Sequence, residues 1–276
     1  MDMTDMTRAA VSRRHFLQLA GAGMLALTGT ALTGCGNSTS GEDSDKGSKL
    51  AAIKSRGHLN AGVKKDVPGY GYYDTAKGRF EGMEVDLCYQ IAAAVFDVSY
   101  KEARAQELVE FTDVTPKTRG PLIDNGQLDV VAATYTITDE RKKLVSFAGP
   151  YYYTQQAILV LADNDDIKSV DDLADKNVAV QSGSNGPAIL EEFVPKASQQ
   201  EFKTDEEARQ ALQQGRVDAY VIDNNMQQSA LVREPSKYKI AGKPFGSKEP
   251  YGIGLPLDSD GVAFVNDFLK KIEDDG

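Results

Sequence analysis

Arg141 stands where a cation is out of place. It ends the run Thr136-Ile137-Thr138-Asp139-Glu140-Arg141, in which Thr138 suits an N-cap and Asp139 and Glu140 suit the positive end of a helix. A guanidinium in that first turn opposes the helix dipole. It asks for an anion: either a bound carboxylate, gripped by the forked N–H donors of guanidinium, or an acidic neighbour on an exposed surface. A second anion-binding pattern is Ser182-Gly183-Ser184-Asn185-Gly186-Pro187. It follows an apolar strand pattern and opens a helix, and its small residues let backbone N–H groups approach negative charge. Other chemistries lack their residues. His15 and His58 are far apart, and Cys35 and Cys88 are the two cysteines, so no zinc or Cys–His nucleophile spacing exists. There is no Walker or dinucleotide fingerprint. Glu110, Glu140 and Asp223 could serve general acid–base catalysis, but no pair has a diagnostic spacing. The reading is of a protein with no metal, no cofactor and no catalytic residue.

The elements that would position these residues alternate. Strands are predicted over 59–63, 128–133, 157–161, 178–181 and 217–222, and helices over 83–96, 188–193 and 205–214. In the helix over 83–96, Leu87, Ile91, Ala94 and Val95 share one face. This alternation implies an α/β fold with sheets covered on both faces. One pattern occurs twice. Residues 122–129 and 211–218 each run from a helix end into Gly, then an apolar residue, then Asp, then a buried strand. Gly126 and Gly215 suit the left-handed cap of a helix. The strands end in polar residues, Thr134-Tyr135-Thr136 in one and Asp223-Asn224 in the other. Ligands of open α/β sheets lie beyond the carboxyl ends of strands. Two such units suggest two lobes with a site between them; coincidence between common αβ units is the plainer alternative.

The N-terminus reads as an address. Arg8, Arg13 and Arg14 precede an uncharged Ala-, Leu- and Gly-rich run over 16–32, too short and dilute for a bilayer span. Residues 1–34 are therefore a predicted signal peptide. Ser12-Arg13-Arg14-His15-Phe16-Leu17 is similar to a twin-arginine signal, with Gln18 where Lys is common, so twin-arginine and general export both stay open. Leu32-Thr33-Gly34-Cys35 is similar to a bacterial lipobox, which makes Cys35 the lipidated first mature residue; a plain secretory signal with an incidental Cys35 is the alternative. Residues 35–49 hold Gly, Ser, Asp and Lys with almost nothing apolar, the composition of a flexible tether. From Cys35 onward 242 residues carry 28 Lys and Arg against 39 Asp and Glu. That balance argues against nucleic acid as a partner. Cys88 is left alone, without a disulfide partner, in an apolar helical pattern.

Several motifs in order carry a family resemblance from about residue 50 to 276. They are Gly62-Val63-Lys64-Lys65-Asp66-Val67-Pro68, Gly82-Met83-Glu84-Val85-Asp86-Leu87, Lys117-Thr118-Arg119-Gly120-Pro121-Leu122, the run from Ala133 to Arg141, and Phe147-Ala148-Gly149-Pro150-Tyr151-Tyr152. The chain resembles the amino-acid-binding family of ABC-transporter solute-binding proteins, and most of all its aspartate/glutamate-binding branch. The resemblance implies a type II periplasmic-binding fold with lobe 1 at 50–154 and 250–276 and lobe 2 at 155–249. Two hinge segments are implied at 152–155 and 248–251. It implies that Arg141 forks the ligand α-carboxylate, that Ser184 and Asn185 add contacts to it, and that Asp223 takes the α-ammonium. Lys64, Arg119 and Thr134, with Thr136 beside them, would hold a distal carboxylate. The plain alternatives are a solvent-facing Lys64 and a turn-capping Asp223. Tyr70, Tyr72 and Tyr73 would wall the cleft or serve as core. The implied partners are an amino acid, an ABC permease and, through Cys35, the extracytoplasmic face of the cell membrane, with the protein a monomer. Alternatives are a glutamine or other polar amino-acid binder, a cyclohexadienyl-dehydratase-like enzyme on the same fold, or a receptor serving a sensor. Relatives usually continue beyond the final Asp-Gly, so the helix over 262–272 is expected without its usual companion.

Overall fold

The computed structural model describes residues 48–275. Cys35, the leader and the linker up to residue 47 lie outside the described residues. Helix α1 (Lys49–Arg56) opens the body, and the Ser48 hydroxyl caps it by accepting from the Ala51 N–H at 3.2 Å. Ser48 and Lys49, linker by composition, thus begin the folded part. Next come β1 (Leu59–Val63) and a small antiparallel sheet of β2 (Asp66–Val67), β3 (Gly71–Asp74) and β4 (Arg79–Glu81). Helices α2 (Met83–Phe96) and α3 (Tyr100–Ala105), β5 (Val109–Asp113), α4 (Arg119–Asp124) and β6 (Val130–Val131) follow. The chain then runs through β7 (Ser146–Leu161), β8 (Asn177–Gln181), α5 (Gly186–Phe193), β9 (Ser198–Phe202) and α6 (Asp205–Gln213). It closes with β10 (Ala219–Asp223), α7 (Asn224–Arg233), β11 (Tyr238–Leu255) and α8 (Gly261–Asp275).

The main sheet has the order β5-β1-β6-β11-β7-β10-β8-β9. Its middle is the long antiparallel pair β7 and β11, and parallel strands flank that pair on each side. The register of β7 against β11 slips between Phe245 and Glu249 and again between Tyr251 and Ile253. A third slip lies between Ala241 and Phe245. Slips of this kind loosen the ladder and bend the strand, and the two between Phe245 and Ile253 flank the segment expected as a hinge at 248–251. Apolar side chains of α2 and α8 cover the first half of the sheet, with Leu59, Val63, Cys88 and Ile91 buried. The second half packs Ala208, Leu212, Val217, Tyr220 and Met226 on one face and Val178, Val180, Leu190 and Val221 on the other.

Sequence and structure differ at further places. Ala94 is exposed, because the buried arc of α2 turns from Leu87 and Ile91 toward Cys88 and Ala92. The strand expected over 128–133 keeps ladder pairing at Val130–Val131 alone, since Thr134 at φ 45° turns the chain away. The helix expected after Thr138 is a single 3-10 turn, Arg141–Lys143, although the Thr138 hydroxyl does accept from the Arg141 N–H at 3.2 Å.

The two repeated connections share a glycine turn and an Asp–Asn clasp. Gly126 (φ 76°) and Gly215 (φ 66°) both take the left-handed conformation that glycine adopts without strain. The Asp129 carboxylate accepts from the Asn60 N–H at 2.7 Å, and the Asp218 carboxylate accepts from the Asn177 N–H at 2.8 Å. Each Asp also donates its own N–H to the carbonyl of that same Asn, at 2.9 and 2.8 Å.

Candidate functional site

The carboxyl ends of β1, β6, β8 and β10 converge beside the β7–β11 pair, and most of the sequence-predicted site residues collect there. Lys64, one residue past β1, is 2% exposed, and its Nζ donates to Gln181 Oε1 at the end of β8, 2.9 Å away. It does not point to solvent. Arg119 opens α4 and is also 2% exposed. Its Nη1 donates to the carbonyls of Ala133 (2.6 Å) and Thr134 (3.2 Å), and its guanidinium lies 3.9 Å from the Tyr135 ring centre. Its Nε is buried without a partner among the described residues. Burial, and then the neighbouring Arg141 charge, push the Arg119 guanidinium down to about 9.

Thr134 holds this corner. Its φ of 45° is strained for a β-branched residue. The strained turn aims its N–H at Glu84 Oε1, 2.6 Å away, while its carbonyl faces Arg119. Thr136 is buried and its carbonyl accepts from Arg141 Nη1 at 2.8 Å. Arg141 Nη2 crosses to the Gly183 carbonyl at 3.3 Å, and its guanidinium sits 5.2 Å from the Tyr135 ring centre. Among the described residues, Lys64, Arg119 and Arg141 make no ion pair with a carboxylate. Gly183 permits the crossing: its φ is 79°, and a Cβ there would lie 3.0 Å from the Lys117 backbone nitrogen.

The opposite side is acidic. Asp223 ends β10 and occupies the N-cap position of α7, yet its side chain makes no capping bond. Its carboxylate accepts from Gln156 Nε2 at 2.6 Å and from the Tyr251 hydroxyl at 2.5 Å. Burial pushes its carboxyl up, opposed by those bonds and by the Lys64 and Arg119 charges. Ser184 and Asn185 lie at the mouth of α5. The Ser184 N–H is taken by the Gln181 carbonyl at 3.1 Å, the Ser184 hydroxyl accepts from the Gly186 N–H at 3.1 Å, and Asn185 is the N-cap residue without a side-chain bond. Tyr70 stands edge-on to Tyr152, which lies against Tyr251, so this part of the wall is aromatic. Tyr73 instead packs on Phe80.

The model of the bacterial extracellular solute-binding proteins, family 3, matches residues 59–276. The chain belongs to this family. It is 38% identical over 250 residues to the ABC transporter glutamine-binding protein GlnH of Bacillus subtilis (strain 168), covering 89% of this chain and 88% of that one. It is 32% identical over 272 residues to the glutamate-binding protein GluB of Corynebacterium efficiens, covering 96% and 89%. A solved ancestral amino acid-binding protein, a precursor of cyclohexadienyl dehydratase, superposes with a TM-score of 0.73 at 33% identity, covering 83% of this chain and 95% of that one. The architecture is the two-lobed type II periplasmic-binding fold, with β7 and β11 as its two crossing segments.

Within that fold, four site neighbours escaped sequence reading. Glu84 is 0% exposed, and its Oε1 accepts from the Thr134 N–H and, at 2.6 Å, from the Tyr151 hydroxyl. It stood inside a quoted motif, but as an acid suited to a helix start it gave no sign of burial. Gln156, Gln181 and Glu249 lie on strands where alternation sends polar residues outward as often as inward. Among the described residues no helix is long and apolar enough to cross a membrane, and no group of three or more His, Cys, Asp and Glu could hold a metal ion.

Proposed function

We propose that this protein is the extracytoplasmic binding component of an amino-acid ABC importer, tuned to a ligand with two carboxylates, glutamate or aspartate. One observation carries the specificity. Lys64 and Arg119 are both buried to 2% exposure, and their partners are a neutral amide and two main-chain carbonyls. Charged groups taken out of water without a counter-charge are costly. A distal carboxylate offsets that cost; a glutamine amide brings no charge, and a cationic side chain adds to the repulsion. Arg141 then forks the α-carboxylate, with Ser184 and Asn185 at its edge, and Asp223 takes the α-ammonium. Thr134 and Thr136 set the Arg119 and Arg141 forks through their carbonyls. GluB, named for glutamate, supports this reading, and GlnH, named for glutamine, supports its nearest rival.

Ligand capture works by closure. Lys64–Gln181 and Arg141–Gly183 join the two halves of the sheet, and farther out Val67 of β2 is buried in the apolar cluster of the second half. A ligand that touches both halves shifts the balance toward this closed form, which is the form that docks on the permease. Cys35 lipidation would hold the loaded protein near that partner on a tether whose r.m.s. reach is on the order of 20 Å. Titration calorimetry of residues 48–276 against glutamate, aspartate, glutamine and arginine tests the reading. Heat with the two acidic amino acids is expected; heat with glutamine or arginine but not with them overturns it. Mass spectrometry of the membrane-extracted protein tests the Cys35 lipid.

An enzyme on the same fold is the second reading, and Glu249 favours it. Burial and Asp223 push its carboxyl up to about 7, the range of a general acid. Turnover of a cyclohexadienyl acid to an aromatic product, followed by absorbance, would establish that reading, and its absence would leave the binder.

A further inference from the structure

Asp223 does not stand alone. One amide nitrogen, Gln156 Nε2, donates to Asp223 Oδ1 at 2.6 Å and to Glu249 Oε2 at 2.5 Å. Asp223 is 4% exposed and Glu249 5%. The remaining donor to the pair is neutral, the Tyr251 hydroxyl on Asp223 Oδ2. Behind it Asn225 Oδ1 lies 3.0 Å from the same hydroxyl, and Asn225 Nδ2 is buried without a partner. Gln156 Oε1 is likewise buried and unpartnered. Two carboxylates sharing one neutral donor in a dry site cannot both carry charge cheaply.

The surrounding charges do not resolve this. Arg141 from the 3-10 turn acts on both acids from a distance, and Lys64 and Arg119 act on Asp223, but none of the three hydrogen-bonds either carboxylate. Tyr251 meets Asp223 with its neutral hydroxyl, and Tyr152 lies against the Tyr251 ring. Glu84, on α2, is turned away to Thr134 and Tyr151. Among the described residues no cation hydrogen-bonds the pair, and a primary ammonium group would supply one.

We infer that Glu249 is a second acid of the ammonium site, so that Asp223 and Glu249 share one proton in the unliganded protein and release it to solvent when the ligand's ammonium arrives. The bond lost is the carboxyl O–H; the ion pairs gained are ammonium to carboxylate. Coupled acids of this kind titrate as a pair, and burial with mutual repulsion holds Glu249 up at about 7. Affinity for an α-amino acid therefore rises with pH through neutrality. This inference rests on the amino-acid reading but not on the choice between glutamate and glutamine, since both carry the same ammonium group.

Calorimetry of the full folded body with L-glutamate, and separately with L-glutamine, in phosphate and in Tris at neutral pH reads the proton directly. Whichever amino acid binds is expected to give different heats in the two buffers and to bind about tenfold more weakly at pH 6 than at pH 8. Glu249→Gln is expected to bind with equal heats in both buffers and a flattened pH profile. Equal heats in the wild type, or an unchanged buffer difference in Glu249→Gln, overturns the inference. If Glu249→Gln folds but loses all binding, Glu249→Asp decides: binding with the buffer difference restored supports the inference, and binding without it overturns it. Heat with glutamine and none with glutamate sinks the substrate reading and leaves this one standing.

Discussion

The connection over 122–129 and the connection over 211–218 share a glycine turn and an Asp–Asn clasp and end in opposite chemistry. In both, a glycine in the left-handed conformation closes a helix, a buried apolar residue follows, and an Asp clasps an Asn one strand over. The first delivers its strand to Thr134 and Thr136, whose carbonyls position Arg119 and Arg141. The second delivers its strand to Asp223. The frame is repeated and lies at the foot of each strand, so it tolerates different residues at the tip. The charges at the tips are set against each other across the β7–β11 pair, which is the arrangement the proposed zwitterionic ligand would need. One further difference lies at the clasp: Asp129 also pairs with Arg56, while no such cation is recorded beside Asp218 among the described residues.

The largest effects should come from removing the tips. Arg141→Ala is expected to abolish heat with any amino acid, because the proposed fork on the α-carboxylate is lost; a variant that binds within tenfold of the wild type breaks the comparison. Asp223→Asn should cost about as much, from the other half, since breaking a buried charge pair costs about 3–5 kcal/mol. Lys64→Ala should be smaller and selective. It is expected to weaken glutamate and aspartate about tenfold or more while sparing glutamine, read by the same titrations.

Acid titration gives a third contrast. Burial raises the carboxyls of Glu84 in the first half and of Asp223 and Glu249 in the second. A raised folded-state value means the stability contribution is fully present below the unfolded value and lost as pH rises through the folded one. The unliganded protein should therefore melt at lower temperature as pH rises from about 5 to about 8, and Glu249→Gln should flatten that fall. A melting temperature that climbs over this range in both proteins contradicts the assignment.

The smallest effects test the frame itself. Gly126→Ala and Gly215→Ala meet no atom within 4 Å, so each should lose about 1–2 kcal/mol through backbone strain alone. Near-equal shifts in urea midpoint are expected. Asp129→Ala should exceed Asp218→Ala by about 0.2–1 kcal/mol, the worth of the extra Arg56 pair at a partly exposed position.

The frame was legible because it is local. Gly, an apolar residue and Asp within four positions dictate a glycine turn and a buried approach to a strand, and both copies form them, with the ladders starting later than read, at Val130 and Ala219; the Asp–Asn clasps appear only in the structure. Of the site, Lys64, Arg119, Arg141 and Asp223 stood out through strand ends, a misplaced cation and the motifs around them. Ser184 and Asn185 were legible as a helix mouth, though the Ser184 N–H is already taken within the turn. Glu84, Gln156 and Glu249 were not legible. A polar residue on a strand or at a helix start has no local signature of burial, and Gln156 and Glu249 meet only because β7 and β11 run antiparallel through both halves. Ala94 was misplaced for a related reason: its α2 stripe is set by what packs against the helix, not by period alone.

The amino-acid sequence by itself determined the alternation of elements, the repeated connection and the identity of the charged residues at the strand ends, since each depends on residues a few positions apart. Only the tertiary structure decided which of them lose their water. Lys64 and Arg119 become buried cations without an ion-paired carboxylate among the described residues, and Asp223 and Glu249 become a crowded acid pair, because segments distant in sequence, 117 residues apart for Lys64 and Gln181 and 93 for Gln156 and Glu249, close over them and exclude the solvent that would have screened their charge.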